Sequence, residues 1–377
     1  MEITNCHVHT FTHEHTPDRF LHWPLPQLAR FAFVRAALAG AARLFDPERK
    51  KALGRYAEII RTSYGASQAD VFKIVQAFYP EGTRFVVLPM DMTKMNAGAV
   101  PVGIDEQHKQ LAELRDSFPT AVIPFAAVDP RHPGIRETTI DWIEQHGFKG
   151  LKLYPPTGYH PFDQRLWDLY AYAEEKGLPV MTHCSRPASV QYRGDPTPDM
   201  RIDPVNGGTL DQPRFELLTL FTDPDAYIPL LERYPRLRVC LAHFGGAGDW
   251  KQFIRAPAQA GASRETMSWL SKILPMIRAG TYPNLWTDIA YTLFADDDYV
   301  YLLKALLSDP PVAGRVLFGS DFYVVESAPL EERSRSLRIR AILGEELFTQ
   351  IAQTNPGAYL NGPSVAPSGI AAAGVPG

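Results

Sequence analysis

The run LRVCLAHFGG (237–246) decides the architecture, because it is a short apolar stretch, too brief for a helix, that closes on a histidine and two glycines. Seven other stretches repeat its design: an N-terminal one from Ile3 to His9, RFVVLPM (84–90), TAVIPFAAVD (120–129), GLKLYPP (150–156), LPVMTHC (178–184), NLWTDIA (284–290) and RVLFGSD (315–321). Amphipathic segments separate them, among them Ile135 to Gln145, Asp163 to Lys176 and Asp223 to Tyr234, the last opened by Asp223-Pro224 as cap and first helical residue. Near-continuous apolar strands alternating with helices imply a parallel sheet covered on both faces. Eight such units predict closure into a (β/α)8 TIM barrel, with an open doubly wound sheet as the alternative.

The length of 377 residues exceeds what a bare barrel of about 250 requires. The surplus lies after the first strand. Residues 12–67 begin rich in aromatics, histidines and prolines (FTHEHTPDRFLHWPLP) and then carry helical spacing from Gln27 to Phe45 and from Arg49 to Ser63. We therefore expect one barrel domain over 1–362 with 12–67 as a helical insertion near the mouth. The uncharged Pro/Gly/Ala/Ser tail 363–377 is expected to be flexible.

Composition narrows the function. A net charge of −4, from 38 basic and 42 acidic residues, gives no field for nucleic acid. No run of about 18 apolar residues signals a membrane span. Cys6, Cys184 and Cys240 form an odd set with no CxxC pair, which fits a reducing, cytoplasmic setting. Neither GxGxxG after a strand nor a Walker-type loop is present, so nucleotide cofactors are not indicated. The expected partner is a small molecule; a homo-oligomer is left open.

The chemistry gathers at strand ends. His7 and His9 share one face of the first strand, and His183, His243 and Asp321 close the fifth, sixth and eighth runs. In a closed barrel all five converge at the C-terminal mouth, offering imidazole nitrogens and a carboxylate suited to Zn²⁺ or another divalent ion. Lys152 and Tyr154 share a face of the fourth strand, and a lysine facing the barrel interior needs a partner or a role. Arg186 and Tyr154, near strand ends, are candidates for binding a carboxylate or phenolate. Cys184, one residue from His183, faces away, which counts against a nucleophile.

HVH at the N-terminus, GLKLYPP, MTHCS, LAHFGG and FGSDF, in this order, resemble the amidohydrolase superfamily over residues 1 to about 362, in particular its branch of metal-dependent hydrolases and decarboxylases of small carboxylated or aromatic compounds. The resemblance implies His7, His9, His183 and Asp321 as ligands of one catalytic metal. It implies His243 as the histidine that polarises water or substrate, beside Asp321 as proton acceptor. In binuclear relatives a strand-four lysine is carbamylated and bridges two metals; Lys152 would then give two ions per chain, with His183 and His243 on the second. In mononuclear relatives such a lysine binds substrate carboxylate. The leading expectation is a hydrolase of a small amide, ester or lactone. A non-oxidative decarboxylase and a non-catalytic barrel with a structural metal are the alternatives.

Overall fold

The computed structural model describes residues 2–20, 62–187, 190–255, 266–322 and 331–362. Nine parallel runs build the sheet: β1 (Thr4–Val8), β2 (Arg84–Val87), β3 (Val122–Pro124), β4 (Ala126–Val128), β5 (Leu151–Leu153), β6 (Val180–Ser185), β7 (Val239–Gly245), β8 (Leu285–Asp288) and β9 (Val316–Leu317). β3 and β4 are two halves of one strand, parted at Phe125, whose amide still donates to the Val87 carbonyl of β2 (3.1 Å). Eight strands result, each lying in one of the eight apolar runs.

The sheet closes on itself. The amide of Cys6 donates to the Phe318 carbonyl (2.8 Å), that of Asp321 to His7 (2.9 Å) and that of His9 to Phe322 (2.6 Å). The open doubly wound alternative is therefore set aside, since a barrel leaves no edge strand.

Side chains divide by strand alternation into two layers. One buried cluster takes Cys6, Val86, Leu88, Phe125, Met181, Cys240, Trp286 and Leu317 from successive strands and fills the barrel. The larger cluster takes the intervening residues, such as Phe85, Leu151, Leu153, Val180, Leu241 and Leu285, and packs them against helical residues including Leu111, Trp142, Leu169, Leu230, Ile273 and Leu303. Leu241 is fully buried in that second layer, where truncation to alanine costs about 2–5 kcal/mol.

The helices follow their local signals. Asp223 caps the turn at Pro224–Tyr227 by accepting from the Asp225 amide, and the chain continues as helix Ile228–Arg233. Helix Trp167–Lys176 stops at Gly177, whose φ of 64° favours glycine. In the insertion, His13–His15 form a short turn, and the amides of Asp18 and Arg19 donate to the Ala99 and Ala97 carbonyls. The helices expected over Gln27 to Phe45 and Arg49 to Ser63 lie outside the described residues, apart from helical residues 62 and 63, as does the tail. Among the described residues no helix is long and apolar enough to cross a membrane.

Candidate metal centre

A regular strand aims only every second side chain inward. β1 departs from that rule: the register against β2 slips between Asn5 and Val8, so Cys6 and His7 both face the interior, Val8 faces out, and His9 faces in again. Such a bulge re-aims a side chain at a functional rim. β7 departs too. It pairs regularly with β6 up to His183 opposite Ala242, then slips before Ser185 reaches Gly245. The extra length is absorbed at His243 and Phe244, with φ of 70° and 46°. Asp321, past the end of β9, has φ of 65°. Non-glycine residues in this region cost of order 1–3 kcal/mol and persist where surroundings enforce them. Here the enforcing bonds run from the His243 amide to Asp288 Oδ1 (2.7 Å) and from the Asp321 amide to the His7 carbonyl.

These distortions bring His7, His9 and Asp321 together, with donor atoms within 4.8 Å of one another. His7 Nδ1 donates to Asp288 Oδ2 (2.8 Å) and His9 Nδ1 to the Leu88 carbonyl (2.8 Å), which leaves Nε2 of each ring as a lone pair. Both lone pairs converge on Asp321 Oδ1, at 3.4 and 3.1 Å. Three electron-rich atoms so close need a positive centre among them, a proton or a cation. His7 Nε2, fully buried, has no hydrogen-bond partner. The donor set, two imidazole nitrogens and a carboxylate oxygen, fits a divalent ion.

His183 and His243 form a second pair. His243 Nδ1 donates to the Ala290 carbonyl (3.0 Å), so its Nε2 accepts from His183 Nδ1 (3.0 Å). That leaves His183 Nε2 as the acceptor for Ser185 Oγ (3.0 Å). The imidazoles adjoin, with ring centres 5.2 Å apart for His7 and His9, 5.0 Å for His7 and His243 and 4.7 Å for His183 and His243. His183 is thus beside the group of three without being part of it.

Burial holds His7 and His183 well below the ordinary imidazole range, and the neighbouring Lys152 charge adds to it for both. Both are neutral, the form in which an imidazole can bind a metal. Burial alone would raise the Asp321 carboxyl, but the surrounding His9, His7 and His243 rings outweigh burial and hold it at about 2. Asp321 is ionised at neutral pH.

Lys152 shares a lateral row with Ala127, Met181, Cys240 and Trp286. It is buried and its Nζ has no hydrogen-bond partner. Burial lowers it to about 8, against the pull of Asp288 and Asp321. Tyr154 stands over it, 5.8 Å from Nζ to ring centre, and leans on the His183 ring at 4.6 Å. Arg186 is already engaged: its guanidinium meets both oxygens of Asp249 (3.0 and 3.2 Å) and lies over the Trp269 ring. Cys184 belongs to the outer layer, where burial raises its thiol well above the ordinary range, so it is no nucleophile.

The sequence reading missed Asp288. It is fully buried at the end of β8 and serves three groups, accepting from His7 Nδ1, the His243 amide and the Ala290 amide (3.1 Å). The signal was present: within NLWTDIA, Asp288 stands two residues after the inward Trp286, at the end of β8, as Asp321 ends the next run. A carboxylate behind a histidine fixes its tautomer and ring orientation.

Three solved structures share this architecture. An uncharacterised TIM-barrel protein from Bordetella bronchiseptica is 16% identical, with 96% of this chain and 98% of that one covered and a TM-score of 0.52. A probable 2-pyrone-4,6-dicarboxylic acid hydrolase from Acinetobacter baumannii, with citric acid bound, is 11% identical over 96% and 99%, at 0.55. A 5-carboxyvanillate decarboxylase from Novosphingobium aromaticivorans, with bound manganese, is 13% identical over 95% and 96%, at 0.52. At these identities the likeness is one of fold. No match is found among curated proteins. The sequence model of the amidohydrolase family matches residues 4–361, nearly the whole chain, and the chain belongs to that family.

Proposed function

We propose that the protein is a metal-dependent hydrolase of a small organic amide, ester or lactone. The observation that carries this reading is the convergence of two imidazole lone pairs on the ionised Asp321 carboxylate at the barrel mouth. Amidohydrolase-family members are metal-dependent enzymes. His7, His9 and Asp321 would hold one divalent ion, Zn²⁺ or a related metal, with His183 as the further ligand. Such an ion supplies a Lewis acid for a carbonyl oxygen and makes water a nucleophile near neutral pH.

The chain's own groups do the rest. Asp321, ionised, takes the proton of the attacking water and passes it to the leaving group. Asp288 keeps the His7 ring turned so that Nε2 faces Asp321. His243, whose backbone Asp288 holds, would meet a substrate hydroxyl or the attacking water through Nε2 by exchanging its bond to His183. Lys152, mostly charged at neutral pH with no anion bonded to it, meets an anionic group of the substrate. Were Lys152 carbamylated instead, two ions per chain would be held, with His183 and His243 on the second.

The unpartnered Lys152 cation also favours a second reading, non-oxidative decarboxylation of a small carboxylic acid, because a buried positive charge suits a carboxylate substrate. Turnover of a panel of carboxylated aromatic esters, lactones and acids in ¹⁸O-labelled water separates the two. Label in the product with no CO₂ release is expected; CO₂ release without label would replace hydrolysis by decarboxylation. Stoichiometric metal with no turnover of any panel member would favour the non-catalytic barrel.

A further inference from the structure

Beneath His7 and Asp321 lies a closed set of polar side chains drawn from four parts of the chain. Asn5, on β1, uses its whole amide: Oδ1 accepts from the His7 amide (3.2 Å) and the Ser320 amide (3.1 Å), while Nδ2 donates to Ser320 Oγ (2.9 Å) and Tyr79 Oη (3.2 Å). Rotating the amide by half a turn would set its NH₂ against two backbone N–H groups, so the orientation is fixed. Ser320 Oγ also accepts from the Phe322 amide (3.2 Å). The Tyr79 hydroxyl donates to Glu332 Oε1 (2.6 Å). Asn5, Ser320 and Glu332 are buried, and Tyr79 nearly so. Glu332 belongs to the helix Glu331–Leu343, outside the barrel.

We propose that Glu332, through Tyr79, Asn5 and Ser320, is a positioning residue for His7 and Asp321, and so sets the metal affinity of the site; this rests on the metal-dependent reading above. The network meets the backbone next to each ligand: it bonds the amide of His7 and, at Ser320 and Phe322, the amides on either side of Asp321. β9 is two residues long, Asp321 has positive φ, and Gly319 lies so close that a Cβ there would come within 2.8 Å of the His7 Cβ. Hydrogen bonds among buried polar groups hold those groups in place, and a group removed from the chain leaves its neighbours unpaired.

The test is a titration of the full-length, metal-depleted protein with Mn²⁺ by calorimetry, comparing wild type, Tyr79→Phe, Glu332→Gln and the double variant. Tyr79→Phe keeps the ring packed edge-on against Phe85 and Phe318, and Glu332→Gln keeps the side-chain shape, so both are expected to fold. Groups that orient ligands typically govern 10–100-fold in affinity. Each single variant should bind Mn²⁺ about 10-fold or more weakly, and the double no worse than the weaker single, as for one chain of bonds. Leu303→Ala, in the outer layer, serves as the control that loses stability and keeps affinity. Unchanged affinity in both single variants, losses that add in the double, or an equal loss in Leu303→Ala would overturn the proposal. No Mn²⁺ uptake by the wild type would instead overturn the metal-dependent reading, and this proposal with it.

Discussion

The β6–β7 ladder and the seam between β9 and β1 solve the same problem in opposite ways. Along β6 and β7 four consecutive pairs, from Val180 opposite Val239 to His183 opposite Ala242, hold register by backbone alone. His183 arrives at the mouth as the ordinary inward residue of a regular strand. At the seam β9 contributes two residues and closure falls to three backbone bonds plus the Asn5 side chain. There the chain aims His7 by a bulge and Asp321 by a left-handed backbone. A ladder delivers one aimed side chain per two residues. Where several must meet at one point, the ladder is broken and side chains take over its work.

If the seam supplies the chemistry, the largest effect follows from its carboxylate. Asp321→Asn keeps an oxygen that still coordinates while removing the charge that accepts a proton. Metal should be partly retained and the turnover rate should fall by about 10²–10⁴, the usual contribution of a positioned acid or base. Near-normal turnover with metal bound would move the proton-accepting role to His243. A smaller loss is expected one bond further out. Asp288→Asn should weaken metal binding by about 10–100-fold, since the carboxylate orients His7; equilibrium dialysis reads it, and unchanged affinity would detach Asp288 from the site.

Two glycines sharpen the comparison at the level of stability. Gly319→Ala puts a methyl against His7 at the seam, where overpacking should destabilise by about 1–3 kcal/mol in chemical unfolding and lower metal content. Gly357→Ala, in helix Asn355–Asn361 with open space around it, should instead stabilise by about 0.5–1 kcal/mol and leave metal untouched. Equal effects of the two would erase the distinction between seam and surroundings.

The sequence makes the two regions unequally legible. Every strand is announced, because a strand buried on both faces is an apolar run between turn clusters, as in LPVMTHC and LRVCLAHFGG. His7, His9, His183, His243 and Asp321 are readable for the same reason: a polar residue at the end of such a run has only the mouth to face. The bulge at His7 leaves no such mark, since it depends on how β1 registers against β2, about eighty residues away. Asp288 obeyed the strand-end rule and was passed over because its run carries no histidine. The Tyr79–Glu332 bond joins residues 253 apart, and only closure of the barrel brings them together. The pairing of His183 with His243 follows from the His243 tautomer that the Ala290 carbonyl selects, which residue spacing does not encode.

Metal content of the purified protein, by elemental mass spectrometry on wild type and the His7→Ala/His9→Ala double variant, tests the central claim most directly. These two histidines stand at the mouth, outside the packed layer of Cys6, Met181, Cys240 and Trp286, so the double variant should keep its circular dichroism. The account predicts about one divalent ion per chain in the wild type and close to none in the variant. Stoichiometric metal retained by the folded double variant, or none in a wild type grown with added metal, would contradict it.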